Sequence, residues 1–413
     1  MLAPELVDRI QQTLPLLKEN GEQLTQHFYA RMFRHDPEVQ SLFNPAHQHA
    51  GTQQKALAAA ICAYAEHIEE PAALQEALEL IAHKHVSLGI KPSHYPIVGR
   101  HLLASIREVA GEAATDDILE AWAQAYDILA DTLIQREAEI YAEQRRRHGW
   151  QGFTRFQVDR KQRESAIITS FYLRPEDGSP TARFEPGQFL TVRVPGRNGG
   201  TTMRNYSLSN HPDDPHYRIS VKREPAESRD VPPGYVSSYL HDELQEGNVL
   251  EVAPPCGVFT LDVDTITRDP LVFIAGGVGV TPLLSMLRVA TEAELDRDIW
   301  FIHGVNDGDV QAFGEEVRQI AARHPRLHVH FRYAAPTTED REQARFDSTG
   351  LLDANLVAAL IGRLEADFYL CGPTPMLANL HPALVNRGAD PNRIHYEFFG
   401  PAQELAAPAQ EQV

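Results

Sequence analysis

The spacing of apolar side chains changes twice along the chain, and these changes divide it into three segments. Within residues 1–149, apolar residues recur every three or four positions, as they do in helices that bury one face. The runs with this spacing cover residues 14–24, 28–33, 57–64, 97–109 and 118–141. The prolines expected at helix starts or in short corners are Pro37, Pro71, Pro92 and Pro96. The first segment is therefore predicted to be all-α, and its last helix is expected to end at the basic run 145–147.

The second and third segments have the patterns of two different β architectures. Within residues 150–263, short β-rich runs alternate with turns rich in proline and glycine, which predicts an antiparallel β-barrel. These runs cover residues 153–158, 165–173, 189–194, 217–221 and 249–252. Within residues 264–413, wholly apolar strands at 271–275, 299–303, 328–333 and 368–371 alternate with helices. This predicts a doubly wound α/β domain with a parallel sheet, followed by a frayed tail over 402–413.

Composition and charge limit which binding partners and which cellular compartment we expect for the protein. A net charge of -19 argues against nucleic acid or an anionic membrane surface as a partner. The three cysteines form no Cys-x-x-Cys pair, which suits a reducing compartment. The N-terminus lacks the pattern of a secretory signal, and the most apolar run, 271–280, is too short to span a bilayer. We therefore expect a cytoplasmic protein without stable membrane association.

One histidine in the first segment is predicted to face inward near the end of a helix. At helical spacing, the apolar stripe is made by Leu78, Ile81, His85 and Leu88. The opposite, polar stripe is made by Glu76, Glu79, His83 and Ser87. His85 is therefore either a hydrogen-bonded core residue or a metal ligand.

A carboxylate in the last helix of that segment is also predicted to face inward. Glu137 shares a stripe with Tyr126, Leu133 and Ile140, whereas Glu139 and Glu143 are expected to face water. A buried carboxylate must be paired or hydrogen-bonded. Its partner is either a cation in an internal salt bridge or an imidazole.

A glycine-rich turn follows the first apolar strand of the third segment. The turn is formed by Gly276, Gly277, Val278, Gly279, Val280, Thr281 and Pro282. Glycines allow a backbone to approach a diphosphate at the positive end of a helix, and we expect Thr281 to cap that helix and Pro282 to open it. A second motif, Cys371-Gly372-Pro373, ends a later strand at the carboxyl edge where ligands bind in such sheets.

The order of these three segments resembles that of the flavohaemoglobins, which act as nitric oxide dioxygenases, and several motifs add to the resemblance. Residues 204–207 (Arg-Asn-Tyr-Ser) resemble the Arg-x-Tyr-Ser flavin signature of the ferredoxin reductase superfamily. Residues 185–189 match a second element of that superfamily, except that Phe189 stands where the family commonly has tyrosine. Residues 234–240 resemble its diphosphate loop, and residues 396–401 match the C-terminal flavin element.

The resemblance implies a haem site in the helical segment. It makes His85 the ligand of the haem iron, with Tyr95 and Glu137 as partners that orient the ring and make it electron-rich. On the side where oxygen binds, it assigns Tyr29 and Gln53 as hydrogen-bond donors. The apolar residues of this pocket would be Phe43, which packs on the porphyrin, and Leu57, which closes it.

The resemblance likewise implies a flavin site. Arg204 would pair with the flavin diphosphate, Tyr206 would pack on the isoalloxazine, and Ser207 would lie near its reactive nitrogen. Phe399 would stack on the ring until nicotinamide displaces it. The other residues assigned to this site are Phe189, Asn205, Val236, Ser237, Ser238, Phe398, Gly400 and Pro401.

The nicotinamide cofactor would lie between the glycine-rich turn 276–282 and the motif 371–373. By the same resemblance Glu397 would lie between flavin and haem, and Lys84 either faces the flavin side or is solvated. Cys371 has no feature that marks it as a nucleophile and suits a buried apolar position. The loop 303–307 carries neither a clear phosphate-binding arginine nor a well-placed ribose carboxylate, so NADH and NADPH both remain open.

These assignments imply haem b, FAD and NADPH or NADH as cofactors, with nitric oxide and O2 as substrates and nitrate as product. FAD suits this scheme because it accepts a hydride and releases single electrons. Two alternatives stay open: a flavin or haem reductase of ferric iron, quinones or peroxides, and a globin sensor or carrier of oxygen or nitric oxide. Tyr95 and Glu137 favour an enzyme, because a carrier does not need an electron-rich ligand. The residues identify no protein partner.

Overall fold

The computed structural model of the protein describes residues 3–43, 51–196, 199–226, 233–264, 269–293 and 295–399. The α-helices of its first segment are α1 (Pro4–Gln12), α2 (Leu14–His35), α3 (Thr52–Glu66), α4 (Gln75–Leu88), α5 (Tyr95–Ala110) and α6 (Asp116–His148). The predicted all-α architecture is therefore confirmed. Across the described ranges, no helix combines the length and the apolar character that crossing a lipid bilayer requires.

Local signals explain where these helices begin and end. Pro37, Pro71 and Pro92 each open a short 3-10 turn, and Pro96 lies in the first turn of α5. The predicted runs 14–24 and 28–33 form one continuous helix, α2, and the hydroxyl of Thr25 between them donates to the carbonyls of Gly21 and Gln54. The last helix begins after Thr115, which caps it. It ends in its basic turn, as predicted.

The second segment is an antiparallel barrel of six strands. They are β1 (Thr154–Arg163), β2 (Ile168–Pro175), β3 (Phe189–Pro195), β4 (Thr201–Ser207), β5 (Tyr217–Lys222) and β6 (Val249–Val252), in the order β4-β3-β6-β1-β2-β5. A bridge between Leu208 and Ile219 joins the two edge strands, so the sheet closes on itself. A short helix, α7 (Tyr235–Asp242), follows β5 in the chain. The barrel prediction is confirmed, although β4 was not among the predicted runs.

The third segment is a six-stranded parallel sheet with apolar clusters on both faces. Its strands are β7 (Leu271–Gly276), β8 (Ile299–Val305), β9 (Leu327–Tyr333), β10 (Ser348–Thr349), β11 (Asp367–Cys371) and β12 (Ile394–Glu397), in the order β10-β9-β8-β7-β11-β12. The helices are α8 (Val280–Glu292), α9 (Gly314–Ala321), α10 (Thr338–Glu342), α11 (Ala354–Ile361) and α12 (Thr374–Val385). The strand order changes direction between β7 and β11, and such switch points form ligand crevices at the carboxyl edge.

Apolar and polar contacts join the barrel to this sheet. Phe259 and Leu261 of the barrel segment belong to the apolar cluster on one face of the sheet. The buried guanidinium of Arg218 on β5 lies 3.1 Å from the carboxylate of Glu316 on α9, which also accepts from Arg288. Burial raises the pKa of Glu316, but the two arginines lower it further, to below its ordinary value. These polar contacts determine the orientation of the two segments, because breaking a buried ion pair is costly.

Gly279 at the switch point is expected to tolerate no side chain. A Cβ atom there would lie 2.2 Å from the carbonyl oxygen of Cys371 and 2.8 Å from the amide nitrogen of Gly372. We predict that Gly279→Ala lowers the free energy of unfolding by about 2 kcal/mol or more, because two backbone segments must separate. Urea unfolding of the holoprotein measures it. Gly200→Ala is the control, since a Cβ at Gly200 has no neighbour within 4 Å; equal midpoints for the two variants would contradict the prediction.

Candidate functional site

A hydrogen-bonded triad of His85, Tyr95 and Glu137 lies where α4, α5 and α6 meet. The Nδ1 atom of His85 is 2.8 Å from Glu137 Oε1, and the Tyr95 hydroxyl donates to the same oxygen at 2.5 Å. The Glu137 side chain is only 2% exposed, as its helical stripe predicted. The pKa of the Tyr95 phenol is raised well above its ordinary range. Burial is the larger cause, and the hydrogen bond to Glu137 is the second. The structure therefore brings together the three residues that the sequence singled out.

This triad leaves the His85 ring suited to bind a metal through Nε2. A carboxylate can only accept, so Nδ1 carries the proton and Nε2 presents a lone pair. Within the described part of the chain, Nε2 has no hydrogen-bond partner. One third (33%) of the side chain is exposed, although its stripe neighbours Leu78 and Ile81 pack in an apolar cluster. A carboxylate-oriented imidazole beside an apolar wall is suited to hold the iron of a haem.

Tyr29, Gln53, Phe43 and Leu57 form a second group in the helical segment. Tyr29 packs edge-on against Phe43, with ring centroids 5.5 Å apart, and hydrogen-bonds to the side chain of Gln53. Burial raises the pKa of the Tyr29 phenol, which therefore remains a neutral donor. Leu57 and Phe43 pack against the same apolar cluster. The four residues predicted for the oxygen side thus lie together.

Two motifs of the predicted flavin site are neighbours in the barrel. Strand β4 carries residues 204–207, and Ser207 pairs with Phe189 on β3, while Tyr206 pairs with Leu190. The Phe189 ring is buried, and a Cβ on Gly257 would lie only 3.0 Å from it, so the ring packs against that backbone.

The side chains of β4 itself have mixed surroundings. Arg204 is partly buried and donates to the Met203 carbonyl at 2.6 Å, and burial lowers the pKa of its guanidinium. Tyr206 is also partly buried, and desolvation raises its pKa. Asn205 is exposed and accepts from the Thr191 hydroxyl at 2.8 Å. A desolvated guanidinium beside a phenol is a donor set that suits a diphosphate and an aromatic ring system.

The start of α7 offers backbone donors near these strands. The first N–H groups of a helix have no intrahelical acceptor, and in α7, which begins at Tyr235, they include those of Val236 and Ser237. Ser238 already donates its N–H to the Gly234 carbonyl at 3.0 Å. The Ser237 hydroxyl donates to the same carbonyl and accepts from the Glu224 N–H, so it shapes the loop. Of Val236, Ser237 and Ser238, which were assigned to the flavin site, the first two therefore have N–H groups that the helix leaves available.

The glycine-rich turn and the motif 371–373 pack directly against each other. A Cβ on Gly276 would lie 2.6 Å from the Met376 sulfur and 2.9 Å from Pro373 Cδ. Gly276 and Gly279 are thus required for packing between the turn and the motif. At Gly277, by contrast, the φ angle is +55° and a Cβ would meet no atom within 4 Å. Its side of the turn is open for a ligand to approach.

The predicted cap at Thr281 was wrong. The 3-10 turn Gly277–Gly279 continues directly into α8, which begins at Val280, so Gly279 occupies the cap position. The Thr281 hydroxyl donates to the Val278 carbonyl at 3.0 Å, and Pro282 is the third residue of the helix rather than the first. Cys371 is fully buried, and burial raises the pKa of its thiol, as expected of an apolar position.

His303, at the carboxyl end of β8, is a residue whose contact the sequence did not predict. Its Nε2 atom lies 2.9 Å from the carbonyl oxygen of Gly277, and its side chain is 1% exposed. Burial lowers its pKa to about 4, so the ring is neutral and donates from Nε2. The bond holds the Gly277 carbonyl against the sheet. The available signal was a polar residue that ends an apolar strand beside the glycine-rich turn.

Lys84 and Glu397 couple the helical segment to the edge of the parallel sheet. Glu397 pairs with Cys371 across β12 and β11. Burial raises the pKa of Glu397 to about 7, and the Lys84 ammonium acts in the opposite direction. Burial lowers the pKa of Lys84, whereas the negative charge of Glu397 acts to raise it. Lys84 is therefore partly buried within electrostatic range of Glu397 rather than fully solvated.

Phe398 and Phe399 follow β12 directly along the chain. Phe398 is partly buried and Phe399 is 51% exposed, whereas Gly400 and Pro401 lie outside the described residues.

The polar stripe predicted on α4 does not face water throughout. His83 is largely buried because it contacts the barrel. Ser87 is fully buried, and its hydroxyl is satisfied within the helix by donating to the Lys84 carbonyl at 2.8 Å.

Family models match the chain in three consecutive parts. The model described as Globin matches residues 26–133. The model described as Oxidoreductase FAD-binding domain matches residues 155–261. The model described as Oxidoreductase NAD-binding domain matches residues 273–381.

Whole proteins and solved structures are also similar to the chain. It is 48% identical to the flavohemoprotein of Rhodopirellula baltica, covering 98% of this chain and 100% of that protein. It is 46% identical to that of Halalkalibacterium halodurans, with 98% of each covered. Its fold is similar to the Malassezia yamatoensis flavohemoglobin with bound FAD and heme, at a TM-score of 0.83 and 26% identity, covering 97% of this chain and 100% of that chain.

We predict that His303→Leu weakens binding of NAD(P)H by about two- to tenfold, the cost of one hydrogen bond that orders the turn. The apparent dissociation constant is obtained from the dependence of the rate of flavin reduction on NAD(P)H concentration, in anaerobic stopped-flow experiments on the purified holoprotein. The matched control is His330→Leu, because His330 on neighbouring β9 bonds to Ser348 away from this turn. Unchanged affinity in His303→Leu, or equal weakening in both variants, would contradict the role of the Gly277 bond.

Proposed function

The chain belongs to the flavohemoprotein family, and we propose that it is a nitric oxide dioxygenase driven by NAD(P)H. It is an oxidoreductase with haem, FAD and a nicotinamide dinucleotide as its cofactors. When bound, haem supplies oxygen chemistry, and FAD converts a hydride into single electrons. In the overall reaction, nitric oxide and O2 combine with one electron derived from NAD(P)H to give nitrate.

The triad of His85, Tyr95 and Glu137 is the observation that carries the proposal. A buried carboxylate on Nδ1 makes the imidazole more electron-rich than a neutral partner would. An electron-rich axial ligand favours oxygen activation over reversible carriage. The Tyr95 hydroxyl, which donates to the same oxygen, limits rotation of the carboxylate and so of the ring.

Tyr29 and Gln53 would serve the oxygen side of the pocket. A neutral phenol and an amide are both hydrogen-bond donors, and they are already positioned against each other. Donors held in an apolar pocket stabilise negative charge that develops on a substrate oxygen. Phe43 and Leu57, from the same apolar cluster, would exclude water from this side.

The barrel and the parallel sheet would position and orient the flavin and the nicotinamide cofactor. Gly277 and His303 shape the turn that would receive the dinucleotide, while the buried Cys371 thiol stays protonated at its edge. Glu397 titrates near pH 7 beside Lys84, and so is able to hold or release a proton at this boundary. Lys84 precedes His85 in α4, which places this boundary one residue from the imidazole.

The purified holoprotein tests the proposal directly. Nitric oxide, O2 and NAD(P)H are followed together in air-saturated buffer while the haem band is recorded. Catalytic loss of nitric oxide with nitrate formed and cofactor consumed in step supports the dioxygenase. A single stoichiometric burst indicates a binding globin, and cofactor oxidation indifferent to nitric oxide indicates a flavin reductase.

His85→Ala is predicted to abolish nitric oxide consumption, because the side chain assigned as iron ligand is removed. Reduction of a dye by NAD(P)H should persist, because the barrel and the parallel sheet keep their own cores. Both activities are measured on one preparation. Loss of dye reduction as well would indicate general misfolding and would contradict the assignment.

Glu137→Gln is predicted to leave haem bound and to slow nitric oxide turnover by about tenfold, the lower end of effects from such orienting partners. The amide still accepts from Tyr95 but no longer carries a charge. Steady-state turnover and the haem spectrum are measured. Glu120→Gln, on the exposed side of the same helix, is the control; equal rates in the two variants would remove the argument from the triad.

A further inference from the structure

His83 connects α4 to the barrel. Its Nδ1 atom lies 3.3 Å from the backbone nitrogen of Gly257 and 3.3 Å from the sulfur of Cys256. The thiol of Cys256 also lies 3.2 Å from the carbonyl oxygen of His83. The His83 side chain is 17% exposed, so these contacts form in a largely desolvated place, where hydrogen bonds gain strength.

The contacts determine the tautomer of this ring. A backbone N–H can only donate, so Nδ1 of His83 must accept from Gly257. The proton therefore resides on Nε2, which lies 3.1 Å from Glu79 Oε1 and donates to it. Both ring nitrogens are thereby satisfied in one orientation.

The helix that orients His85 also orients His83. Arg136 on α6 binds Glu79 with two hydrogen bonds of 2.7 Å, and this bidentate geometry holds the carboxylate in place. Arg136 is adjacent to Glu137, which holds His85. Two consecutive residues of α6 therefore fix the two rings: Arg136, through Glu79, orients His83, and Glu137 orients His85. The position of the His83 contact is thereby fixed relative to the His85 ring.

On the barrel side, the contact reaches the strands of the flavin motifs. Cys256 exchanges two backbone hydrogen bonds with Phe189, of 2.9 and 3.0 Å. The Gly257 backbone packs on the ring of Phe189, which pairs with Ser207 on β4. Burial raises the pKa of the Cys256 thiol to about 12, so it remains a hydrogen-bond donor. Two short links therefore join His83 to the strand with the flavin signature.

We propose that His83 is a positioning residue that holds the haem-side helix against the flavin-side strands and thereby sets the rate of electron transfer from flavin to haem. Electron transfer slows steeply as donor and acceptor separate, so a contact that fixes this boundary governs the rate. The inference rests on the part of the proposed function in which flavin reduces haem. It does not depend on nitric oxide as the substrate.

Anaerobic stopped-flow measurements on the holoprotein test the inference. After mixing with NAD(P)H, flavin reduction and haem reduction are followed at their own wavelengths. In His83→Leu, haem reduction should slow by about tenfold while flavin reduction keeps its rate. His83→Gln should restore most of the rate, because glutamine offers one acceptor and one donor. His27→Leu is the matched control, since His27 bonds to Ser105 and Glu108 within the helical segment alone.

A second measurement separates positioning from other effects. Amide hydrogen exchange of the holoprotein should be faster over residues 253–259 in His83→Leu than in the unaltered protein, because the Gly257 N–H loses its acceptor. The haem spectrum and midpoint potential should stay unchanged. A changed potential would mean that His83 acts through His85, and would overturn the inference.

The other outcomes are also decisive. Unchanged haem reduction in His83→Leu, equal slowing of flavin and haem reduction, or equal slowing in His27→Leu would each overturn it. If the unaltered protein reduces haem but consumes no nitric oxide, the proposed function fails while the comparison of His83 variants still stands. A protein whose reduced flavin never reduces haem would overturn both.

Discussion

The buried carboxylate of Glu137 is the constraint on which the arrangement of the helical segment depends. A charge that is 2% exposed is costly unless hydrogen bonds satisfy it. The phenol of Tyr95 and the imidazole of His85 both bond to its Oε1 atom, whereas Oε2 has no hydrogen-bond partner among the described residues, so α4, α5 and α6 must meet at one point. The orientation of His85 and the packing of these three helices are therefore parts of one requirement.

Three consecutive residues of α4 then contact three different parts of the molecule. Successive side chains of a helix point about 100° apart, so neighbours in sequence face different partners. His83 accepts from the barrel backbone at Gly257, Lys84 is coupled to Glu397 on the last strand of the parallel sheet, and His85 bonds to Glu137. A single helical turn thus connects the haem-side imidazole with the flavin side and the nucleotide side, which suits a protein that passes electrons between them.

Much of this arrangement is legible in local sequence patterns. Apolar spacing alone predicted the order of helical, barrel and parallel-sheet segments, because periodicity records which face of an element is buried. The same rule predicted that Glu137 faces inward, and the glycine-rich turn followed from its place after a buried strand. Strand β12 escaped prediction because its residues Ile394–Glu397 contain no apolar run: Ile394 is fully buried, Glu397 is partly buried and the two residues between them are exposed.

What the sequence by itself determined is therefore the type of each long element and the inward position of a few polar residues. Tertiary structure alone decided their partners. The periodicity that placed His83 on a polar stripe could not reveal Gly257, 174 positions along the chain, whose N–H satisfies it. Nor could it show that Lys84 would be partly buried near Glu397, or that a 3-10 turn would displace the cap expected at Thr281. A local pattern reports burial, whereas the identity of a contact depends on segments that only folding brings together.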